Sequence, residues 1–116
     1  MPLLVDRTNP DGMRIIEASG ELDRVELPYL RNALQKAFEG APAVVLDMSA
    51  VTYIDSSTLA ALIAESLEAD RRGTPLAIVT GPGGILRSLE LKGLMQVMRI
   101  AETVDQAIEL IRAQPS

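Results

Sequence analysis

The longest regular pattern of apolar and polar positions in this chain covers residues 43–67. It opens with four consecutive apolar residues at 43–46, a run typical of a buried parallel strand. A turn-like Asp-Met-Ser segment at 47–49 and a short apolar run at 51–54 follow. From Leu59 onward apolar residues recur at helical spacing. This segment therefore predicts a strand, a loop and a helix.

The residues that lead into the predicted helix all carry side-chain oxygens: Asp55, Ser56, Ser57 and Thr58. Such oxygens accept hydrogen bonds from the first free backbone N–H groups of a helix. The same helix end has a partial positive charge and unpaired donors, so a phosphate would be well received there. Helix capping alone also explains these residue types, and capping needs no function. The pattern predicts hydroxyls exposed at a helix start and leaves their further role open.

The helix predicted after these residues has an apolar side and a charged side. The apolar positions include Leu62 and Leu67, and the positions assigned to the solvated face are Glu65, Glu68 and Asp70. Basic residues followed by glycine at 71–73 are typical of a helix C-terminus. We therefore expect this helix to end near Gly73.

The remaining pattern predicts strands and helices in alternation. Apolar runs at 3–5 and 13–18 flank a turn signal at 9–12, which indicates a β-hairpin with a loop longer than two residues. The other predicted elements are helices at 25–38, at 85–93 and after the N-cap Thr103, and strands at 75–79 and 97–100. The order β-β-α-β-α-β-α-β-α predicts an α/β fold in one domain over 1–116, with a mostly parallel, mixed sheet of about five strands and four helices.

Composition narrows the possible functions. The net charge of −5 argues against binding to nucleic acid, which requires clustered basic residues. The chain has no cysteine and no histidine, which removes the usual general base and the commonest metal ligands. We therefore expect no enzyme activity, no cofactor and no metal. No apolar run is long enough for a membrane span and the first residues do not form a signal peptide, so we expect a cytoplasmic protein.

Three segments of the chain resemble the STAS domain family, in its anti-sigma factor antagonist type. Residues 55–59, Asp-Ser-Ser-Thr-Leu, are similar to the family's Asp-Ser-Ser/Thr-Gly-Leu motif at a helix start. Residues 20–23, Gly-Glu-Leu-Asp, are similar to the turn before the family's first helix, and residues 86–94 to a later helix ending in Gly-Leu. The resemblance keeps the family's order and covers nearly the whole chain, with Thr58 replacing the usual glycine.

The resemblance implies a regulatory binding module whose partner is an anti-sigma factor serine kinase. In the family the kinase phosphorylates the serine directly after the aspartate, which is Ser56 here, with Ser57 as a fallback acceptor. The implied partner surface consists of Asp23, Asp55, Ser56, Ser57 and Thr58, the last adding an extra hydroxyl. The unmodified protein would bind the kinase and thereby free a sigma factor. Phosphorylation would release the protein, because the added charge disrupts docking.

Two other hypotheses stay open at this point. The family also provides accessory subunits of lipid and anion transport complexes, and the sequence alone does not distinguish such a subunit from an antagonist. It also does not define an oligomeric state. A small enzyme or ligand carrier using the carboxylates of Asp47 and Asp55 is a third hypothesis. Without histidine or cysteine its catalytic chemistry would be limited, so we do not favour it.

Overall fold

The computed structural model of the protein describes residues 3–82, 93 and 97–113. In this part of the chain the strands are β1 (Leu3–Thr8), β2 (Arg14–Leu22), β3 (Val44–Ile54), β4 (Leu76–Val79) and β5 (Arg99–Ala101), and the helices are α1 (Leu27–Gly40), α2 (Ser56–Arg72) and α3 (Val104–Arg112). The strands form one sheet in the order β1-β2-β3-β4-β5. Strand β1 pairs antiparallel with β2, and the other neighbours pair in parallel. The predicted α/β class with a five-stranded mixed sheet is confirmed.

The described residues contain three helices, whereas the sequence predicted four. The additional predicted helix at 85–93 and the matching segment at 86–94 lie outside the described residues, apart from Gly93. No helix in the described ranges is long and apolar enough to cross a membrane.

The predicted hairpin joins β1 and β2. The backbone N–H of Gly12 donates to the Asn9 carbonyl at 3.0 Å. The side-chain oxygen of Asn9 accepts from the backbone N–H groups of Asp11 and Met13, both at 2.9 Å. This Asn side chain therefore organises the turn, as the sequence signal indicated.

Strands β2 and β3 are both longer than predicted. The sequence indicated that β2 ends before residue 19 and that a turn occupies 47–49, and both predictions are wrong. Asp47 is paired on one side with Glu17 and on the other with Val79, so neighbouring strands hold it in extended backbone. The pairing within the sheet outweighs the local preference of Asp and Ser for turns.

The extension of β2 contains two irregularities in its pairing with β3. The register shifts between Glu17 and Ser19 and again between Gly20 and Glu21. Gly20 has a φ of +87°, a conformation that glycine adopts without steric cost. The sequence break at residues 19–20 therefore marks a bulge within the strand and not its end.

The helices cover both faces of the sheet, and the core follows the alternation of side chains along the strands. The face under α1 and α2 buries Ile16, Leu46 and Ile78 from the strands with Leu34, Phe38 and Leu62 from the helices. The face under α3 buries Ile15, Val45 and Ala77 with Ala107 and Ile111. The core on both faces is thus almost entirely aliphatic.

Polar side chains join α1 to α2. The side-chain amide of Gln35 donates to Glu65 at 2.8 Å, and Arg72 donates to the Gln35 oxygen at 3.0 Å. Arg31 lies 3.6 Å from the other oxygen of Glu65, whose side chain is only 12% exposed. The assignment of Glu65 to the solvated face is therefore wrong, because α1 packs over it. We call Arg31, Gln35, Glu65 and Arg72 the α1–α2 polar cluster.

The ends of α2 and α3 follow the sequence signals. Gly73 follows α2 with a φ of +77°, and its N–H reaches the last carbonyls of the helix. Thr103 caps α3 by accepting from the Gln106 backbone N–H at 3.1 Å. The Gln106 side chain in turn accepts from the Glu102 N–H at 3.1 Å. These local signals correctly predicted where α2 ends and where α3 begins.

Two leucines on the helices provide a direct test of this packing. Leu34 is fully buried, whereas Leu67 is 50% exposed although the sequence placed it on the apolar side of its helix. We expect Leu34→Ala to lower the free energy of unfolding by about 2–5 kcal/mol, because it leaves a cavity. Leu67→Ala is the matched control and should cost under about 1 kcal/mol. Urea unfolding measures both, and equal losses would contradict the packing described.

Candidate functional site

The parallel strands β2 and β3 end at the same edge of the sheet. Leu22 and Ile54 form their last register pair, and the chain leaves both strands there. The N–H of Asp55 donates to the Leu22 carbonyl at 3.2 Å, which continues the pairing by one bond. The N–H of Arg24 donates to the Asp55 carboxylate at 3.0 Å. The structure therefore brings together the segments at 20–23 and 55–58, which the sequence placed on one surface.

The carboxylate of Asp55 joins this loop to helix α2. One oxygen accepts from the Thr58 backbone N–H at 2.8 Å, which makes Asp55 the N-cap of the helix. The other oxygen accepts from Arg24 of the loop after β2. The capping role that the sequence indicated for Asp55 is confirmed, and the second bond adds a link between the two loops.

The surroundings of Asp55 lower the pKa of its carboxyl group. The largest contribution comes from the side chain of Thr58, followed by the Thr58 backbone N–H, and the Arg24 N–H and guanidinium charge add to it. Asp55 is therefore an ionised group at neutral pH.

Thr58 does not belong to the exposed surface. Its side chain is 0% exposed, so the prediction that it adds a surface hydroxyl is wrong. Thr58 is the third residue of α2, and its side chain enters the interior beneath the helix start. Thr58 instead donates its backbone N–H to the Asp55 carboxylate and lowers the pKa of that group.

Ser56 and Ser57 are the first two residues of α2, and both are exposed. Their position after the N-cap follows directly from the capping bonds of Asp55. The structure thus places two accessible hydroxyls at a helix start, as the sequence predicted.

Asp23 builds the loop beside these serines. One of its carboxylate oxygens accepts from the Val25 N–H at 3.0 Å and from the Glu26 N–H at 3.2 Å. Its backbone carbonyl accepts from Glu26 and Leu27, and α1 begins at Leu27. The side chain of Asp23 is therefore occupied within its own loop, where it fixes the backbone that approaches Asp55.

Three exposed apolar side chains near these loops were not identified from the sequence. Val25 is 72% exposed, Tyr29 is 57% exposed and Tyr53 is 52% exposed. Val25 precedes α1, although its spacing predicted a helical position, and Tyr29 follows one turn later. Tyr53 pairs with Glu21 at the end of β3. Exposed tyrosines are typical of protein interfaces. The two tyrosines close to the polar motifs in the sequence could therefore have indicated this part of the surface.

We call this region the junction surface, which consists of Asp23, Arg24, Val25, Tyr29, Tyr53, Asp55, Ser56 and Ser57. It combines two accessible hydroxyls, apolar side chains and a capped carboxylate. Such a surface can bind a protein and expose a hydroxyl for modification.

The structure separates the two carboxylates of the enzyme hypothesis. Asp47 lies in the middle of β3 and accepts from the Ser49 N–H at 2.9 Å and from its hydroxyl at 2.7 Å. Asp55 follows the end of the same strand, about 26 Å further along at the usual rise of a strand. The two groups therefore do not share a site. The described residues also contain no cluster of three or more potential metal ligands.

The model of the STAS domain family matches residues 5–107 of this chain. The chain therefore belongs to the STAS domain family. This confirms the family that the sequence segments at 20–23 and 55–59 indicated.

Individual relatives cover almost the same range. The anti-sigma F factor antagonist of Paenibacillus polymyxa is 24% identical over 110 residues, which are 93% of this chain and 94% of the relative. The crystal structure of an anti-sigma factor antagonist from Mycobacterium paratuberculosis has a TM-score of 0.84 and 26% identity, and covers 97% of this chain and 95% of that one. A sulfate transporter family protein from Wolinella succinogenes has a TM-score of 0.75 and 22% identity, with coverage of 91% and 89%.

The two bonds of Asp55 predict a specific dependence of stability on pH. Because its pKa is lowered in the folded protein, Asp55 contributes stability above the unfolded pKa of about 3.9, and this contribution is lost as the pH falls through the folded pKa. Asp55→Asn should therefore flatten the loss of thermal stability between neutral and acid pH. Asp55→Ala should lower the melting temperature at neutral pH further, since it also removes the N-cap acceptor.

Thermal unfolding followed by circular dichroism across this pH range measures both effects. Glu39→Gln removes an exposed carboxylate at the far end of α1 and serves as the matched control. An Asp55→Asn protein with the wild-type pH dependence would contradict the role of the ionised carboxylate.

Proposed function

We propose that this protein is an anti-sigma factor antagonist that docks on an anti-sigma factor serine kinase through the junction surface. Phosphorylation of Ser56 controls this docking. The observation that carries the proposal is the exposed hydroxyl of Ser56, held at the start of α2 directly after the capping residue Asp55. The similarity to antagonists over more than nine-tenths of the chain supports the class of partner.

The physical basis of the switch is the charge that phosphorylation adds. A phosphoserine carries about −1.5 to −2 charges at neutral pH. At position 56 this charge joins the ionised Asp55 on a surface that also presents Tyr53 and Val25. A partner that covers the apolar side chains would have to bury the phosphate, and an unpaired buried charge strongly opposes binding. The unmodified protein binds and the modified protein is released.

The exposure of the hydroxyls excludes Thr58 as an acceptor and leaves the two serines. Ser56 and Ser57 are exposed, so a kinase can reach both, and Ser57 remains the fallback acceptor. Thr58 is buried and cannot be reached without unfolding the start of α2. Since Asp55 directly precedes Ser56, the family pattern favours Ser56.

This function makes the protein a substrate and binding module and not an enzyme, and it requires no cofactor. The partner is a protein and not a nucleic acid, in line with the net charge of −5. A sigma factor pathway operates in the cytoplasm, which we propose as the location of the protein.

Incubation with the anti-sigma factor kinase encoded nearest to its gene and with ATP tests the modification. Mass spectrometry should show the addition of one phosphate to the wild-type protein and to Ser57→Ala, and none to Ser56→Ala. Phosphate on Ser57 alone would move the switch to the fallback acceptor. No phosphate on the wild type, or phosphate retained in the Ser56→Ala, Ser57→Ala double variant, would contradict the proposal.

The apolar part of the junction surface gives a second test. We expect Tyr53→Ala to raise the Kd for the kinase about 10-fold or more, because buried tyrosines often dominate interface energies. Val5→Ala is the matched control, since Val5 is an exposed apolar residue on the edge strand β1. Calorimetric titration measures both, and equal affinities of Tyr53→Ala and wild type would exclude Tyr53 from the interface.

A pull-down distinguishes this proposal from a subunit of a lipid or anion transport complex. The likeness to the Wolinella succinogenes protein shows the fold alone and does not favour transport. Recovery of a transporter ATPase in place of a kinase would overturn the antagonist role.

A further inference from the structure

Arg24 brings a positive charge to the junction surface. Its backbone N–H donates to the Asp55 carboxylate at 3.0 Å, and its side chain is exposed. Ser56 follows Asp55 directly, so their Cα atoms are about 3.8 Å apart. Arg24 and Ser56 therefore both adjoin Asp55 on the junction surface, although the two residues are far apart in sequence.

The guanidinium of Arg24 is not used in an ion pair within the described part of the chain. The other arginines there do have partners: Arg7 with Glu17, Arg14 with Asp6, Arg31 with Glu65, Arg71 with Glu68, Arg99 with Asp70, Arg112 with Asp11 and Arg72 with Gln35. The guanidinium of Arg24 attracts Asp55 only at longer range. The fold thus holds its backbone in place while its charged group stays available.

We propose that Arg24 holds the phosphoryl group of phosphorylated Ser56. This inference rests on the proposed modification of Ser56. A phosphate beside Asp55 brings about three negative charges together, and their repulsion favours a nearby cation. A guanidinium fits this position because it donates two parallel hydrogen bonds to phosphate oxygens. On phosphorylation the Arg24 side chain turns from the long-range attraction of Asp55 to direct contact with the phosphate.

This contact changes the junction surface in two ways. The phosphate is held against the loop after β2, next to Val25, and does not extend freely into water. The side chain of Arg24 is also withdrawn from any acidic group of a partner. Phosphorylation would therefore both add negative charge and mask a positive one, which sharpens the release of the kinase.

The second ionisation of the phosphate provides a direct measure of the contact. A neighbouring cation favours the dianion and lowers this pKa, which is about 6 for free phosphoserine. The carboxylates on the elements around Ser56 act in the opposite direction: Asp55, Asp23, Glu21 and Glu26. They are unchanged when Arg24 alone is replaced, so the difference between variants reports on the guanidinium.

The experiment uses the full chain with phosphoserine incorporated at position 56 during translation, so that no kinase is required. Phosphorus NMR follows the phosphate from pH 4 to 8 in low salt. We expect Arg24→Gln to raise the phosphate pKa by about 0.2–0.7, the range of an exposed ion pair, and Arg24→Lys to raise it less. Lys36→Gln removes the same charge from the exposed side of α1 and should leave the pKa unchanged.

The outcomes separate this inference from the proposed function. An unchanged pKa in Arg24→Gln, or an equal shift in Lys36→Gln, would overturn the contact, even if the kinase modifies Ser56. A shift confined to Arg24 variants would support the contact, and it would do so even if the kinase test failed. Raising the salt concentration should reduce the shift, because exposed charges are screened.

Discussion

The site depends on the two hydrogen bonds that the Asp55 carboxylate accepts. This carboxylate accepts one bond from the start of α2 and one from the loop after β2, so a single side chain fixes two segments. Helix capping alone would orient α2 but would not join its start to Arg24 in the loop after β2. Because the bonds use both oxygens, the two exposed serines have a defined position relative to Arg24 and Val25.

The strands and helices next to the site hold these two segments in place. The added residues of β2 and β3 extend both strands to the same edge of the sheet, beyond the point where β4 ends. The α1–α2 polar cluster joins the two helices that begin at the junction surface, with Glu65 held between Gln35 and Arg31. The helix start that carries Ser56 is therefore held in place both by the sheet edge and by the contact between the two helices.

The sequence predicted those features that depend on neighbouring residues in the chain. The N-cap Asp55 is an example, since its residue type and position are sufficient to predict a helix start. The mixed sheet was also predicted, but several details that depend on contacts between distant segments were not. The strand at 47–49 exists because the sheet holds it, Glu65 is covered by α1, and the bond between Arg24 and Asp55 joins residues brought together only by the fold. The burial of Thr58 likewise depends on how α2 packs.

The placement of the aromatic residues has a spectroscopic consequence. The chain contains two tyrosines, one phenylalanine and no tryptophan. Phe38 is in the core, whereas Tyr29 and Tyr53 of the junction surface are both more than half exposed. The tyrosine emission of this protein therefore arises at the junction surface and depends little on the packing of the core. A fluorescence change in this protein would therefore report an event at the junction surface more directly than the loss of its core.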